Sequence, residues 1–121
     1  MTINVLAIDD SQTMRDLLQV SLRESGFAVT VAEDGEDGLA KLETTSPDVV
    51  VTDINMPRLD GFGVIEGVRA RDDHRFTPIL VLTTESAPEL KARAREAGAT
   101  GWIVKPFDDA QLAAAIRRVT A

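Results

Sequence analysis

The chain has 121 residues, of which 44% are hydrophobic and 27% are charged, and its formal net charge is -7. This length fits one globular domain, residues 1–121. The acidic balance argues against binding to nucleic-acid phosphates, which depends on clustered Lys and Arg. The absence of cysteine excludes disulfides and thiolate metal sites. Because we find neither a membrane-spanning apolar run nor a signal-peptide pattern, we expect a cytoplasmic protein that does not enter a membrane.

Short apolar segments alternate with segments of helical periodicity, which predicts five strand–helix units. The predicted strands are rich in β-branched and other apolar residues and cover residues 3–8, 27–32, 49–52, 79–83 and 102–104. Gly26 and Gly98 are stop signals for the first and fourth helices. Since strands alternate with helices, we expect an α/β fold whose parallel sheet is covered on both faces.

Three local patterns predict details of the second half of the chain. Ser86 and Glu89 have the spacing of a capping box at the start of the fourth helix, with Pro88 in its first turn. The last helix is predicted to begin at Asp108. The segment 69–75 contains the only histidine, His74, in a run of mixed charges, which indicates a solvated loop rather than a phosphotransfer histidine.

Charged side chains follow three of the predicted strands. Asp9 and Asp10 follow the first strand, Asp53 follows the third, and Lys105 follows the fifth. Open parallel sheets bind ligands at the carboxyl ends of their strands, and the doubly wound order 2-1-3-4-5 would place strands one and three side by side. Two unit charges ~4 Å apart interact by roughly 4 kcal/mol at an effective dielectric near 20. A carboxylate cluster there therefore suits Mg²⁺ better than it suits packing.

Five motifs occur in chain order and together resemble the receiver domain of two-component response regulators. They are Asp9-Asp10, the segment 53–57, Asp60-Gly61, Thr83 and the segment 105–107. The resemblance covers the whole chain, and residues 97–107 are most similar to the single-domain, CheY-like chemotaxis regulators. It implies a flavodoxin-like, doubly wound sheet of five parallel strands in the order 2-1-3-4-5, with five helices.

The resemblance implies that Asp53 is the phosphoacceptor, whose ionised carboxylate attacks phosphorus and forms an acyl phosphate. It also implies that Asp9, Asp10, Asp53 and the backbone carbonyl of Asn55 hold Mg²⁺, with one of the acids acting through water. Taken singly, Asp53 could instead cap a turn, and one of the first two acids could cap the first helix near Ser11.

The resemblance further assigns Thr83 and Lys105 to the phosphoryl group, with the Lys105–Pro106 bond in the cis form. Thr83 would move toward the phosphoryl group, and the aromatic residue on strand five would then turn inward. That residue is Trp102 here, where many relatives carry Tyr or Phe. Trp102 could alternatively be a static, half-buried core residue, because Trp is commonly placed that way.

Three further residues are expected to modulate the kinetics of the site. Thr84 stands where relatives often have Ala or Gly, so access to Asp53 is expected to be narrower. Asn55 and Glu85 resemble the pattern that accompanies rapid self-dephosphorylation in chemotaxis regulators. We therefore hypothesise a short-lived phosphoryl state.

The resemblance implies a monomeric signalling phosphoacceptor rather than an enzyme with a separate substrate. A histidine kinase, specifically a chemotaxis kinase, would donate the phosphoryl group. The surface of helix four, strand five and helix five would then bind a target such as the flagellar motor switch. A phosphorelay intermediate or phosphate sink would use the same residues and stays open. A remote alternative is an Asp-nucleophile phosphatase, although Asn55 stands where its second acid is expected.

Overall fold

The computed structural model describes residues 2–121 and contains five strands that alternate with five α-helices. The strands are β1 (Asn4–Ile8), β2 (Ala28–Ala32), β3 (Val49–Thr52), β4 (Ile79–Thr83) and β5 (Gly101–Val104). The helices are α1 (Gln12–Glu24), α2 (Gly35–Thr45), α3 (Gly61–Arg69), α4 (Pro88–Ala97) and α5 (Asp109–Thr120), with one 3-10 turn at Asp72–His74. Within residues 2–121, none of the helices has the length and apolar character needed to cross a bilayer.

The strands form one parallel sheet in the order β2-β1-β3-β4-β5, which confirms the predicted doubly wound, flavodoxin-like fold. Every residue of β3 and β4 is buried, as expected for central strands with helices on both faces. Because successive side chains point to opposite faces, the strands supply two separate cores. Leu6 and Val50 belong to the core that includes residues of α2, α3 and α4, whereas Val5 and Val51 belong to the core that includes residues of α1 and α5.

The helix starts agree only partly with the sequence patterns. Pro88 does lie in the first turn of α4, but the predicted capping box is wrong. The residue that precedes α4 is Ala87, which makes no side-chain cap, so Ser86 lies one position too early to cap the helix. Helix α5 begins at Asp109, one residue later than predicted. Capping does hold α3, where the Asp60 carboxylate accepts a hydrogen bond from the Gly63 amide at 2.9 Å.

The prediction of a solvated loop at 69–75 is wrong for two of its residues. Arg69 ends α3, and its guanidinium donates hydrogen bonds to the carbonyls of Gly98 and Thr77. His74 is buried, with Nδ1 2.9 Å from Oγ1 of Thr77. Charge pattern alone missed this because the 3-10 turn directs the imidazole inward while its acidic neighbour Asp73 stays exposed.

Candidate functional site

The three predicted acidic residues meet at one edge of the sheet. Asp9 follows β1 and Asp53 follows β3, and these strands are hydrogen-bonded neighbours. The pairing continues past the strand end, because the Asp53 amide donates to the Ile8 carbonyl at 3.0 Å. One carboxylate oxygen from each of Asp9, Asp10 and Asp53 lies within 4.8 Å of the others. The three acids thus lie at the switch point of the sheet, which is where sheets of this type bind their ligands.

Lys105 reaches this cluster from the end of β5. Its Nζ donates to Oδ2 of Asp9 at 2.7 Å and to Oδ2 of Asp53 at 2.9 Å. The Lys105–Pro106 peptide bond is cis, and the Lys105 amide donates to the Thr83 carbonyl at 2.8 Å. Partial burial lowers the pKa of Lys105, but hydrogen bonds to Asp9 and Asp53 outweigh it and leave that pKa above its ordinary value.

Asp9 is fixed by contacts that the sequence did not indicate. Its side chain is 2% exposed, and Oδ1 accepts a hydrogen bond from the Ser11 amide at 2.9 Å. The Arg15 guanidinium, from the first turn of α1, donates to the Asp9 backbone carbonyl at 2.8 Å. Ser11 also caps α1 through the Met14 amide. Residues at the start of α1 therefore hydrogen-bond both the side chain and the backbone carbonyl of Asp9.

The charge of the cluster is suited to a divalent cation. When ionised, three carboxylates and one ammonium leave two formal negative charges at the carboxylate cluster. Asp10 is exposed, and Asn55 is exposed in the loop after Asp53. Oxygen ligands on few protein groups, with room for water, match the coordination that Mg²⁺ prefers. The residues present therefore fit the ion that the sequence predicts.

A chain of hydrogen bonds connects Asn55, in the loop that follows Asp53, to the aromatic residue of β5. The Asn55 side-chain amide donates to Oε1 of Glu85 at 2.9 Å. The Glu85 backbone amide donates to Oγ1 of the buried Thr83 at 3.3 Å, and the Glu85 carbonyl accepts from the Trp102 indole at 3.0 Å. Thr84, between them, is exposed. Glu85 thus contacts the predicted switch residues and one residue beside Asp53.

The backbone after Asp53 packs directly against the start of α3. A Cβ atom at Gly61 would lie 2.2 Å from the Asp53 carbonyl oxygen, so only glycine fits there. The Gly61 amide donates to the Ile54 carbonyl at 2.8 Å. Within this turn the Ile54 amide donates to Oδ1 of Asp53 at 2.6 Å. Both carboxylate oxygens of Asp53 therefore accept hydrogen bonds, one from Ile54 and the other from Lys105.

Comparison with known proteins shows relatives of two kinds. The transcriptional regulatory protein PrrA of Mycobacterium leprae is 41% identical over 113 residues, which are 93% of this chain and 48% of that protein. The chain spans about half the length of the curated relatives that it matches. The chemotaxis protein CheY4 of Vibrio cholerae is 42% identical, with a TM-score of 0.94 over 98% of this chain and 99% of that chain.

A second similar structure is the receiver domain of the sensor histidine kinase PA1611 from Pseudomonas aeruginosa, with a magnesium ion coordinated in its active-site cleft. It is 26% identical, with a TM-score of 0.91 over 99% of this chain and 98% of that chain. The sequence model of the response regulator receiver domain matches residues 5–117. Together with the fold and the gathered strand-end residues, this match shows that the chain belongs to the response regulator receiver domain family of two-component systems.

Proposed function

We propose that this receiver domain accepts a phosphoryl group on Asp53 from a histidine kinase and thereby changes its α4–β5–α5 surface. The observation that carries the proposal is the placement of Lys105 Nζ between Asp53 and Asp9. A cation at that point lies beside the oxygen that would carry the phosphoryl group. The proposal makes the chain a signalling phosphoacceptor that assists its own phosphorylation and dephosphorylation.

The nucleophile of the transfer step has to be an ionised, reachable carboxylate. An Asp53 oxygen attacks the phosphorus of a phosphohistidine, the phosphorus–nitrogen bond breaks, and the departing imidazole takes a proton from solvent. The Asp53 side chain is 12% exposed, so its free lone pairs are reachable from the sheet edge. Dephosphorylation is a separate hydrolysis, in which water attacks the phosphorus, the phosphorus–oxygen bond to Asp53 breaks, and inorganic phosphate leaves with the carboxylate restored.

The resident ion would be Mg²⁺, held by Asp9, Asp10, Asp53 and the Asn55 backbone carbonyl. When bound, Mg²⁺ neutralises charge on the transferred group. Lys105 contributes a flexible point charge to a phosphoryl oxygen. Its present bonds to two carboxylates support this role, because an added anion at Asp53 offers it a third acceptor. The magnesium ion in the related PA1611 receiver supports the same assignment.

The switch would run through Thr83, Glu85 and Trp102. The Thr83 hydroxyl can donate to a phosphoryl oxygen while its oxygen still accepts from the Glu85 amide. Any shift of Thr83 toward Asp53 then changes the position of Glu85, whose carbonyl holds the Trp102 indole. A buried indole N–H needs such an acceptor, so movement of that carbonyl would be transmitted to β5.

A kinase contact is supported by α1. Leu17 is 52% exposed and Val20 is 58% exposed, and their spacing places them on one face of a helix that begins beside Asp9 and Asp10. Exposed apolar side chains on a helix that starts at such a site suit a docking partner. We propose that this face receives the helical surface that carries the phosphohistidine of a chemotaxis-type kinase in the cytoplasm.

The output target is proposed to be the flagellar motor switch, bound by a monomer. The 42% identity with the chemotaxis protein CheY4 favours a role in chemotaxis, and this target is proposed from that role. A phosphorelay or phosphate-sink role is the second candidate, because it would use the same strand-end residues without a motor target. The chain is also similar to longer transcriptional regulators, so measuring target binding is what distinguishes the candidate outputs.

The test uses the fluorescence of Trp102, the only tryptophan. Beryllium fluoride with Mg²⁺ should change that fluorescence in the wild type and not in Asp53→Asn. Labelled phosphate from acetyl phosphate should be incorporated by the wild type only. A motor-switch peptide that binds more tightly with beryllium fluoride supports the motor target. A fluorescence change without peptide binding favours the relay or sink over the motor target, and phosphate incorporation that persists in Asp53→Asn would overturn the proposal.

A further inference from the structure

We propose that Arg58 and Asp34 are positioning residues for the phosphoryl site, because their ion pair holds a strained turn in the β3–α3 loop and so fixes the Asn55 backbone. This inference rests on the proposed function, since it concerns the metal and phosphoryl site around Asp53. It assigns a role to a residue pair that none of the receiver motifs includes.

The strained turn is centred on Arg58. Its φ angle is 67°, and the Leu59 amide donates to the Pro57 carbonyl at 2.8 Å. A hydrogen bond between residues two apart defines a γ-turn, and the positive φ makes it the rarer, strained form. A residue other than glycine stays in such a conformation only when its surroundings fix it. Something outside the loop must therefore hold Arg58.

Asp34 constrains Arg58 through an ion pair. Its side chain is 4% exposed, one carboxylate oxygen accepts from the Asp37 amide at 2.8 Å, and the other accepts from the Arg58 guanidinium. A buried carboxylate needs partners on both oxygens. The Asp37 hydrogen bond and then Arg58 hold the pKa of Asp34 below its ordinary value, and Asp34 raises the pKa of Arg58. Because Asp34 also caps α2, the turn is tied to a helix end.

The backbone makes a second contact between the same two segments. A Cβ atom at Gly35 would lie 2.2 Å from the Leu59 carbonyl oxygen, so the first residue of α2 lies directly against the loop. Two consecutive residues, Asp34 and Gly35, thus contact two consecutive residues of the loop, Arg58 and Leu59. At the other side, Ile54 is held by the Gly61 amide.

Asn55 lies between these two fixed points of the loop. Its backbone carbonyl is a proposed Mg²⁺ ligand, and Mg²⁺ demands near-ideal octahedral geometry. Removing a contact that orients a metal ligand without touching the metal typically lowers metal affinity by about 10- to 100-fold. If the turn at Arg58 relaxes, the Asn55 carbonyl loses its fixed direction although no ligand has been altered.

The test compares Arg58→Ala and Asp34→Asn with two controls. Asn also caps helices well, so Asp34→Asn removes the charge and keeps the cap of α2. Arg58→Lys retains a cation. Arg71→Ala removes an arginine that pairs with the exposed Asp73, before the start of β4 and away from the strand ends that form the site. Mg²⁺ affinity is measured by calorimetric titration, and exchange of the Leu59 amide is measured by NMR without metal.

We expect the Mg²⁺ dissociation constant to rise about tenfold in both variants of the pair, and the Leu59 amide to exchange faster. The Arg58→Ala/Asp34→Asn double variant should bind Mg²⁺ no more weakly than either single variant, because both act through one ion pair. Arg58→Lys should restore most of the affinity, and Arg71→Ala should leave it unchanged. Urea unfolding of each variant separates loss of the site from loss of the fold.

Each other outcome has a definite meaning. If the wild type binds Mg²⁺ and accepts phosphate while both variants of the pair keep wild-type affinity, the positioning role is overturned. An equal loss in Arg71→Ala also overturns it, because the effect would then reflect net charge. If the wild type itself neither binds Mg²⁺ nor accepts phosphate, the proposed function fails instead.

Discussion

Lys105 Nζ lies 2.7 Å from Oδ2 of Asp9, and the Asp9 side chain is only 2% exposed. A buried carboxylate without a cation would carry a large desolvation penalty. The same ammonium also contacts Asp53 at 2.9 Å. Lys105 therefore stabilises the acidic edge of the sheet in the absence of metal, and it stands where a phosphoryl group on Asp53 would arrive.

Lys105→Met should lower the stability of the metal-free protein. Breaking a fully buried pair typically costs 3–5 kcal/mol, and the residual exposure of this pair reduces the expected loss to about 2 kcal/mol. Saturating Mg²⁺ should recover part of it by binding the same oxygens. Urea unfolding with EDTA and with Mg²⁺ measures both effects. Lys91→Met, on the exposed side of α4, is the control, and an equal loss there would contradict the assignment.

The pH dependence of this stabilisation follows from the raised pKa of Lys105. A raised folded-state pKa contributes stability that is complete below the ordinary value of 10.5 and is lost as pH rises through the folded-state value. The difference in unfolding free energy between the wild type and Lys105→Met should therefore be constant from about pH 7 to pH 9 and decline only in more alkaline solution. A difference that disappears below pH 9 would refute the ion pairs.

Asp10→Asn should have opposite effects on the metal-free and metal-bound forms. A carboxylate oxygen of Asp10 lies within 4.8 Å of those of Asp9 and Asp53, so its neutralisation relieves repulsion. Because Asp10 is exposed, we expect a gain of at most about 1 kcal/mol without metal. Mg²⁺ affinity should fall about tenfold or more, since a charged ligand is lost. Calorimetric titration with Mg²⁺ tests this, and unchanged affinity would remove Asp10 from the site.

The sequence predicted those features that depend on one residue type at a strand end. Asp9 and Asp53 each follow an apolar run, and the neighbouring positions of β1 and β3 are enough to bring them together. Lys105 follows β5, which β4 separates from β3, and only its long side chain reaches the two carboxylates. Strand order itself came from the family resemblance, because hydrophobic periodicity shows which face of a strand is buried but not its neighbour. The structure confirms that order.

Contacts that depend on unusual backbone geometry could not be predicted. Nothing in the sequence indicates a positive φ at Arg58, so its pairing with Asp34 had no local signal. The Asp34 cap was detectable in principle, since Asp before a helical segment favours capping. Burial of His74 depends on packing of the 3-10 turn, and Ser86 failed as a cap because the helix starts one residue later.

Asn55 and Glu85 should control the lifetime of phosphorylated Asp53. Their side chains are joined at 2.9 Å beside the site and can hydrogen-bond an attacking water. We expect Asn55→Met to slow self-dephosphorylation about tenfold, because an apolar side chain cannot orient that water. Loss of labelled phosphate measures the rate. Asn4→Met, at the exposed start of β1, should have no effect, and an unchanged lifetime in Asn55→Met would contradict the role.

Gly61→Ala tests the close packing behind Asp53. The new Cβ would lie 2.2 Å from the Asp53 carbonyl oxygen, a backbone atom that cannot move without disturbing the proposed phosphoacceptor. Overpacking of this kind costs up to about 3 kcal/mol. Gly67→Ala, in the same helix, is the matched control, because its Cβ would meet only the flexible end of Leu39 and alanine favours helix by up to about 1 kcal/mol. The free energy of unfolding, measured in urea, and the incorporation of phosphate should therefore both fall in Gly61→Ala. Both should stay near the wild-type values in Gly67→Ala. Equal losses in the two variants would show that the contact with Asp53 is not the cause.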